Sequence, residues 1–166
     1  MSLENFAIDG HGNPVDAVEQ VADGREWAFE RPAQDEIAIA REGSFADYSV
    51  SVQWMEAFEA LHIACAFDLR IPKARMVEAL RLLSLVNEQM LFGHFDLWSA
   101  DGTVMFRHAI PLSGGAEVTQ EQIEQLVENA VTSCERYHQA FQFTVWGGRD
   151  ARESLDAVLF DTVGEA

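Results

Sequence analysis

Histidine and aspartate side chains that could bind a metal recur in one short stretch of the chain. His94 and Asp96 are two residues apart, so in a β-strand they lie on the same face of a sheet. A zinc-type site in a protein needs at least three ligands. The third candidate is His62, which comes from a distant part of the chain. His108 is expected on the opposite face. We therefore expect hydrogen-bonded histidines within a sheet, with no metal and no other cofactor.

Nucleophilic side chains give no catalytic pattern either. None of Ser113, Ser133 and Ser154 stands in the G-x-S-x-G elbow that an α/β-hydrolase nucleophile requires. The pair Gly114-Gly115 precedes a predicted helix and is more typical of a flexible corner than of an anion site, because Glu117 and Glu121 already place negative charge there. We expect no catalytic residue and a protein that is not an enzyme.

Composition and charge exclude two classes of partner. The chain has 166 residues and a net charge of −17, from 28 acidic and 11 basic residues. Nucleic acids and anionic membrane surfaces both require a basic footprint, so neither is an expected partner. No apolar run reaches the roughly 18–20 residues that span a bilayer, and residues 1–10 lack a signal-peptide pattern. A cytoplasmic location is the expectation, and Cys65 and Cys134 are expected as buried, reduced thiols.

The first half of the chain predicts one helix followed by four strands. Asn13 fits the N-cap and Pro14 the first helical position of a helix that ends at Gly24. Polar and apolar residues then alternate, as in half-buried strands, over segments 25–31, 36–41, 48–54 and 58–69. The last of these is nearly apolar on both faces, which is typical of a strand inside a sheet.

The second half predicts two helices on either side of a hairpin, and a short third one at the end. The first runs from Pro72 to about Met90, with Met76, Leu80, Leu83 and Asn87 at helical spacing. Leu82 and Leu85 lie off that stripe and predict a second apolar contact, either a wide core stripe or an oligomer contact. The second begins with Thr119 and Gln122 as a capping box and with Val118 and Ile123 as a hydrophobic staple, and it continues for five turns to about Trp146. Asp150 could cap the last helix.

The hairpin lies within residues 91–118 and supplies the candidate binding surface. Asp101-Gly102 predicts a type I′ turn, which pairs residues whose numbers sum to 203. One face of the hairpin then carries the apolar set Phe95, Leu97, Phe106 and Ile110, which helices can cover. The other face carries Trp98 opposite Met105 and Asp96 opposite Arg107, near His62. An aromatic residue, a methionine and an arginine together are typical of a protein interface.

These elements together define an α+β protein. The order is α-ββββ-α-ββ-α, and short turns between consecutive strands predict a mainly antiparallel sheet of about six strands with helices packed on it. We expect a single domain over residues 1–166, with a core at 13–148, a short C-terminal helix at 150–160 and a tail at 162–166.

Nearly the whole chain resembles the YbjN family, small bacterial proteins described as sensory transduction regulators. The resemblance rests on segments 47–72, 87–98, 101–115, 119–148 and 162–166, which include NEQMLFGHFDLW, DGTVMFRHAIPLSGG and the terminal TVGEA. It implies a cytoplasmic α+β fold like that of type III secretion chaperones, which commonly dimerise and bind segments of other proteins. It implies no catalytic residue.

The sequence therefore favours a non-enzymatic regulatory or chaperone-like protein-binding domain. We expect a homodimer that binds an as yet unidentified protein partner, with Trp98, Met105, Arg107, Asp96 and His62 as the partner-binding residues. The alternative is a small-ligand sensor or an enzyme whose site lies on the same sheet face near Trp98 and Arg107.

Overall fold

The computed structural model describes residues 12–164, and over this range the chain forms a six-stranded sheet and four α-helices. The helices are α1 (Pro14–Gly24), α2 (Met76–Asn87), α3 (Gln120–Val145) and α4 (Ala151–Gly164). The strands are β1 (Phe29–Ala33), β2 (Glu36–Glu42), β3 (Asp47–Met55), β4 (Ala60–Arg70), β5 (His94–Trp98) and β6 (Thr103–Pro111). Their order in the sheet is β1-β2-β3-β4-β6-β5, and every neighbouring pair is antiparallel. The predicted α+β class and the order of elements are confirmed.

The core lies between one face of the sheet and the helices. Strand β4 shows why: Leu61, Ile63 and Cys65 are at most 1% exposed, whereas the alternating Ala60 and His62 remain partly accessible. Side chains alternate between the two faces of a strand, so one face of β4 is committed to the core. Helix α3 lies against this face, and Cys134 on α3 places its Sγ 3.9 Å from the carbonyl oxygen of Cys65. Both cysteines are buried and unpaired by disulfide, as predicted.

The start of α3 follows the predicted capping box. The Oγ1 atom of Thr119 accepts a hydrogen bond from the backbone N–H of Gln122 at 3.1 Å, and the Oε1 atom of Gln122 accepts one from the N–H of Thr119 at 2.8 Å. Two of the N–H groups that a helix leaves unpaired are thereby satisfied. Val118 and Ile123 are packed in the core, as expected of a staple. The helix ends at Val145, next to the predicted Trp146.

The hairpin differs from the prediction in its turn and its register. Partner numbers sum to 201 rather than 203, so Phe95 lies opposite Phe106 and Asp96 opposite Met105. The connection is a four-residue loop, in which the N–H of Gly102 donates to the carbonyl oxygen of Trp98 at 2.8 Å. Only Gly102, not Asp101, has a positive φ, and the Asp101 carboxylate instead accepts the N–H of Thr103. A shift of two leaves every side chain on its predicted face.

Helix α2 is shorter than predicted and buries a different stripe. It spans Met76–Asn87 after a 3₁₀ turn at Lys73–Arg75. Ala79, Leu82 and Val86 are fully buried, whereas Leu80, which was predicted to face the core, is 48% exposed. The helix has apolar residues on two overlapping stripes, and packing against β5, α3 and α4 selects the one that contains Leu82.

Helix α4 packs on α2 and α3 rather than on the sheet. The Asp150 side chain accepts the N–H of Glu153, which caps the helix as predicted, and the Glu78 carboxylate accepts the N–H of Ala151 at 2.8 Å. Leu155 is fully buried, and Ser154 shares a buried 2.8 Å hydrogen bond with Thr144 of α3. The helix continues to Gly164, past the expected end at residue 160. The last two residues of the expected tail, 165–166, lie outside the described range.

Both edge strands of the sheet are modified. In β1, Pro32 lacks an N–H and the register shifts between Glu30 and Ala33. In β5, the side-chain amide of Asn87 accepts the N–H of Phe95 at 2.8 Å and donates to its carbonyl oxygen at 3.1 Å. The amide thus satisfies both backbone groups of Phe95, the second residue of this edge strand.

Candidate functional site

The sheet face opposite the helices, here called the open face, carries the predicted binding residues. It is formed by alternate residues of the strands, and none of the described helices packs on it. Its central part comprises Ser51, Gln53, Ala60, His62, Ala64, Ala66, His94, Asp96, Trp98, Met105, Arg107 and Ala109. Three of the four β4 residues in this set are alanines, so β4 presents a low surface between the larger side chains of its neighbours.

Arg107 is the centre of a polar network on the open face. Its Nη1 atom lies 2.9 Å from Oδ2 of Asp96, and its Nε donates to Nε2 of His62 at 3.1 Å. The same Asp96 oxygen lies 3.4 Å from Nε2 of His94. The side chains of Arg107 and Asp96 are each 38% exposed, so the pair is positioned in contact with solvent. The network therefore fixes the guanidinium plane at the surface and leaves it available to a partner.

Strand pairing explains why these residues meet. Arg107 of β6 lies opposite Ala64 of β4 and opposite His94 of β5. His62 and Asp96 are each two residues from one of these partners, so both are diagonal neighbours of Arg107 on the same face. The small side chain of Ala64 leaves the space that the guanidinium needs to reach His62.

The hydrogen bond between Arg107 and His62 requires an unprotonated His62 Nε2, because a protonated nitrogen has no lone pair to accept it. Burial lowers the pKa of His62, and the nearby charges of Arg107 and His94 lower it further. The network is therefore intact at neutral pH. Protonation at lower pH places a second positive charge against the guanidinium and breaks this contact.

Trp98 and Met105 supply the apolar part of the surface. Trp98, at the end of β5, is 48% exposed. Met105 is partly buried and lies opposite Asp96 and Ala66. The predicted pairs Trp98–Met105 and Asp96–Arg107 are thus diagonal neighbours instead of direct partners, and the second of them still forms an ion pair.

The geometry does not assemble the histidines around a common point. In the part of the chain that the structure describes, no three His, Cys, Asp or Glu side chains come together as a metal site. His62 and Asp96 are separated by the guanidinium of Arg107, and His108 lies on the helical side next to Phe92, with ring centroids 6.1 Å apart.

Sequence reasoning placed His94 on the same face as Asp96 but did not include it among the partner-binding residues, and it missed one further feature of the open face. Gln53 of β3 lies directly opposite His62 and extends the polar surface toward β3. That neighbour depends on the pairing of β3 with β4, whose register the single sequence did not define.

The fold defines a two-layer α+β protein in which no described helix covers the open face, and comparison with known proteins places it in a family. The family model described as "YbjN: Putative bacterial sensory transduction regulator" matches residues 14–143. The chain belongs to the YbjN family.

One solved structure agrees with the fold. A crystal structure of YbjN from E. coli matches with a TM-score of 0.56 and 14% sequence identity, and covers 77% of this chain and 93% of that one. The HopA1–SchA chaperone–effector complex is more distant, with a TM-score of 0.45, 11% identity and coverage of 82% and 95%. Among curated proteins, none matches the sequence significantly. Within the described residues, no helix combines the length and the apolar character needed to cross a bilayer.

Proposed function

We propose that this protein is a non-enzymatic, chaperone-like regulatory domain that holds a protein partner on the open face of its sheet. The observation that carries the proposal is the exposed cluster of Trp98, Met105 and the Asp96–Arg107 ion pair, which stands on a floor of alanine side chains. Aromatic, methionine and arginine side chains are the types enriched in protein interfaces, and interfaces of this kind surround a few anchors with small, nearly neutral contacts.

The chemistry of the surface also indicates how a partner would bind. Trp98 offers a large apolar area with one hydrogen-bond donor, and Arg107 is held in place by Asp96 and His62, so little side-chain freedom is lost when a partner carboxylate or carbonyl group binds. The exposed guanidinium is one of few basic groups in a chain of net charge −17. Its position on the open face favours a partner segment that combines apolar residues with an acidic or carbonyl group.

Affinity capture with matched tryptophan variants tests this proposal. Wild type, Trp98→Ala, Arg107→Ala and Trp146→Ala would be immobilised and exposed to a bacterial lysate, with bound proteins quantified by mass spectrometry. Trp146 is 70% exposed at the end of α3, away from the open face, and serves as the control. We expect a partner that wild type and Trp146→Ala retain equally and that both open-face variants lose. Retention by all variants, or recovery of no specific partner, would contradict the proposal.

We further propose that the chain forms a homodimer. Supporting this, Val77 and Leu80 lie one turn apart on the outer side of α2 and are 64% and 48% exposed. Unpartnered apolar residues at this spacing are typical of a helix that packs on another copy. Light scattering at micromolar concentration tests it: we expect a dimer for wild type and a shift toward monomer for Leu80→Glu. A monomeric wild type would contradict the dimer without affecting the open-face proposal.

A further inference from the structure

A cleft on the helical side of the sheet forms a second concave site, on the opposite side from Trp98 and Arg107. It has a volume of about 150 Å³ and lies between β6, the loop before β5 and the first turns of α3. The lining residues are Phe92, His108, Ile110, Gln122, Gln125, Leu126 and Asn129. Its walls are mainly apolar, and His108 is the only lining residue with a titratable side chain.

Two contacts position the loop that forms one wall of the cleft. The side-chain amide of Asn129 donates to the carbonyl oxygen of Phe92 at 3.3 Å, which joins α3 to the loop. Gly93, with φ +75°, lets the loop backbone approach so closely that a Cβ atom there would overlap the ring of Phe106. The loop is therefore packed against β6 and joined to α3 on the two sides of the cleft.

The polar groups of the cleft lie along its α3 rim. Gln122, Gln125, Leu126 and Asn129 follow the i, i+3, i+4, i+7 spacing of one side of the helix, on which Leu126 is buried, Asn129 is half-buried and both glutamines are exposed. On the facing strand, His108 has a fully enclosed Nδ1 atom with no hydrogen-bond partner among the described residues. Burial, followed by the charge of His94, lowers the pKa of His108, so the ring is neutral at pH 7.

The size of the cleft limits what it can hold. An engineered cavity of about 150 Å³ in another protein binds benzene, so this volume accommodates one six-membered ring with little to spare. Amide side chains present a donor and an acceptor side by side and pair with heterocycle edges that do the same. An ionic ligand would enter without an opposite charge to pair with, which is costly in a mainly apolar site.

We propose that this cleft binds a neutral, planar, single-ring heterocycle that carries a hydrogen-bond donor next to an acceptor. The ring lies among Phe92, Ile110 and Leu126, and its polar edge meets the amides and His108. The proposal goes beyond the partner-binding function and does not rest on it, because the open face and the cleft lie on opposite sides of the sheet.

Titration monitored by ¹H–¹⁵N and ¹H–¹³C NMR tests the proposal with uracil, 2-pyridone and nicotinamide as probes. We expect saturable shifts of the side-chain NH₂ signals of Gln122, Gln125 and Asn129 and of the His108 ring, with unshifted signals for Trp98 and Arg107. N-methyl-2-pyridone, which lacks the donor, should bind about threefold to tenfold more weakly than 2-pyridone, as expected for one lost hydrogen bond. Absence of saturable shifts with all three probes up to about 10 mM would overturn the proposal.

Two tryptophan variants on α3 provide the matched control. Gln125→Trp places a large ring in the cleft from an exposed position and should abolish the shifts. Glu121→Trp, exposed on the same helix but outside the cleft, should bind like wild type. Equal binding by both variants would overturn the proposal. The proposal would also be overturned if the cleft signals shifted only on addition of a captured protein partner and not with the three probes. That result would indicate that the cleft binds a side chain of the partner.

Discussion

Gly102 occupies a backbone position that a larger residue fits poorly. It has φ +76°, and a Cβ atom there would overlap the backbone of Ile71, whose N–H donates to the Gly102 carbonyl oxygen at 2.8 Å. Gly114 has nearly the same φ, +75°, but open space around the Cβ position. The two glycines therefore separate the cost of a left-handed conformation from the cost of a steric clash.

We expect Gly102→Ala to destabilise the protein more than Gly114→Ala. Both variants incur about 1–2 kcal/mol for a side chain at positive φ, and only Gly102→Ala must also displace the chain at Ile71. At about 2–4 °C per kcal/mol for a domain of this size, thermal unfolding resolves the difference. Equal losses of Tm would show that the Ile71 segment adjusts freely.

His138 makes the stability of the protein dependent on pH. It is 6% exposed and packs against Phe67 with ring centroids 5.1 Å apart. Burial lowers its pKa, which Glu135 and Asp68 only partly oppose. The unfolded state therefore binds a proton more readily than the folded state, so stability falls as the pH drops below the ordinary histidine value of about 6.5.

We expect His138→Phe to reduce this loss. The variant has no group to protonate at this position, so its Tm should fall less than that of wild type when the pH is lowered from about 7.5 to about 5.5. Thermal unfolding across this range measures the effect as a difference between two curves, which cancels the contribution of the shared carboxylates. Parallel curves for the two proteins would contradict the assignment.

Among the elements, α4 lies beyond residues 14–143 that match the family model, yet it is an integral part of the packed structure. Leu155 is fully buried where α4 packs on α2 and α3, whereas Phe160 on the same helix is 79% exposed. One helix thus provides both a buried and an accessible apolar residue for comparison.

We expect Leu155→Ala to cost about 2–5 kcal/mol and Phe160→Ala to cost less than about 0.5 kcal/mol. The first substitution leaves a cavity between helices, and the second removes a side chain that is mostly in water. Urea denaturation would measure both. Similar small effects would mean that α4 is not part of the cooperative unit.

The elements also show what the sequence could and could not predict. Alternation assigned Phe95, Leu97 and Phe106 to the correct face even though the turn and register were wrong, because a shift of two preserves the faces. Leu80 was wrongly assigned to the core because it is as apolar as Leu82, and only the neighbouring elements decide which of the two is buried. Capping at Thr119 was predictable because it depends on four consecutive residues.

On the scale of the whole molecule, the net negative charge destabilises the folded state. With 28 acidic and 11 basic residues, most carboxylates have no lysine or arginine of the same chain to pair with. Mutual repulsion among them destabilises the folded state and is screened by salt. We expect the Tm to rise by several degrees between about 0.01 M and about 1 M NaCl. A falling Tm in thermal unfolding would indicate that ion pairs such as Arg25–Glu124 contribute more than the repulsion removes.

How well each candidate site could be predicted depends on how far apart its residues lie in the sequence. The hairpin part of the open face, with Asp96, Trp98, Met105 and Arg107 on one side, was predicted because its two strands are adjacent in the chain. The bond between Arg107 and His62 and the cleft beside His108 depend on contacts between residues far apart in sequence, such as β4 with β6 and α3 with the loop before β5. Periodicity carries no information on such long-range neighbours.

The amide of Asn87 limits how this protein can be recognised. It occupies both backbone groups of Phe95, while Pro32 interrupts the opposite edge, so neither end of the sheet offers a long row of free backbone groups to an incoming strand. Backbone pairing depends little on side-chain identity, so an open edge would pair with almost any extended chain, including misfolded copies of the protein itself. With both edges obstructed, the proposed partner would be selected through side-chain contacts rather than through backbone pairing.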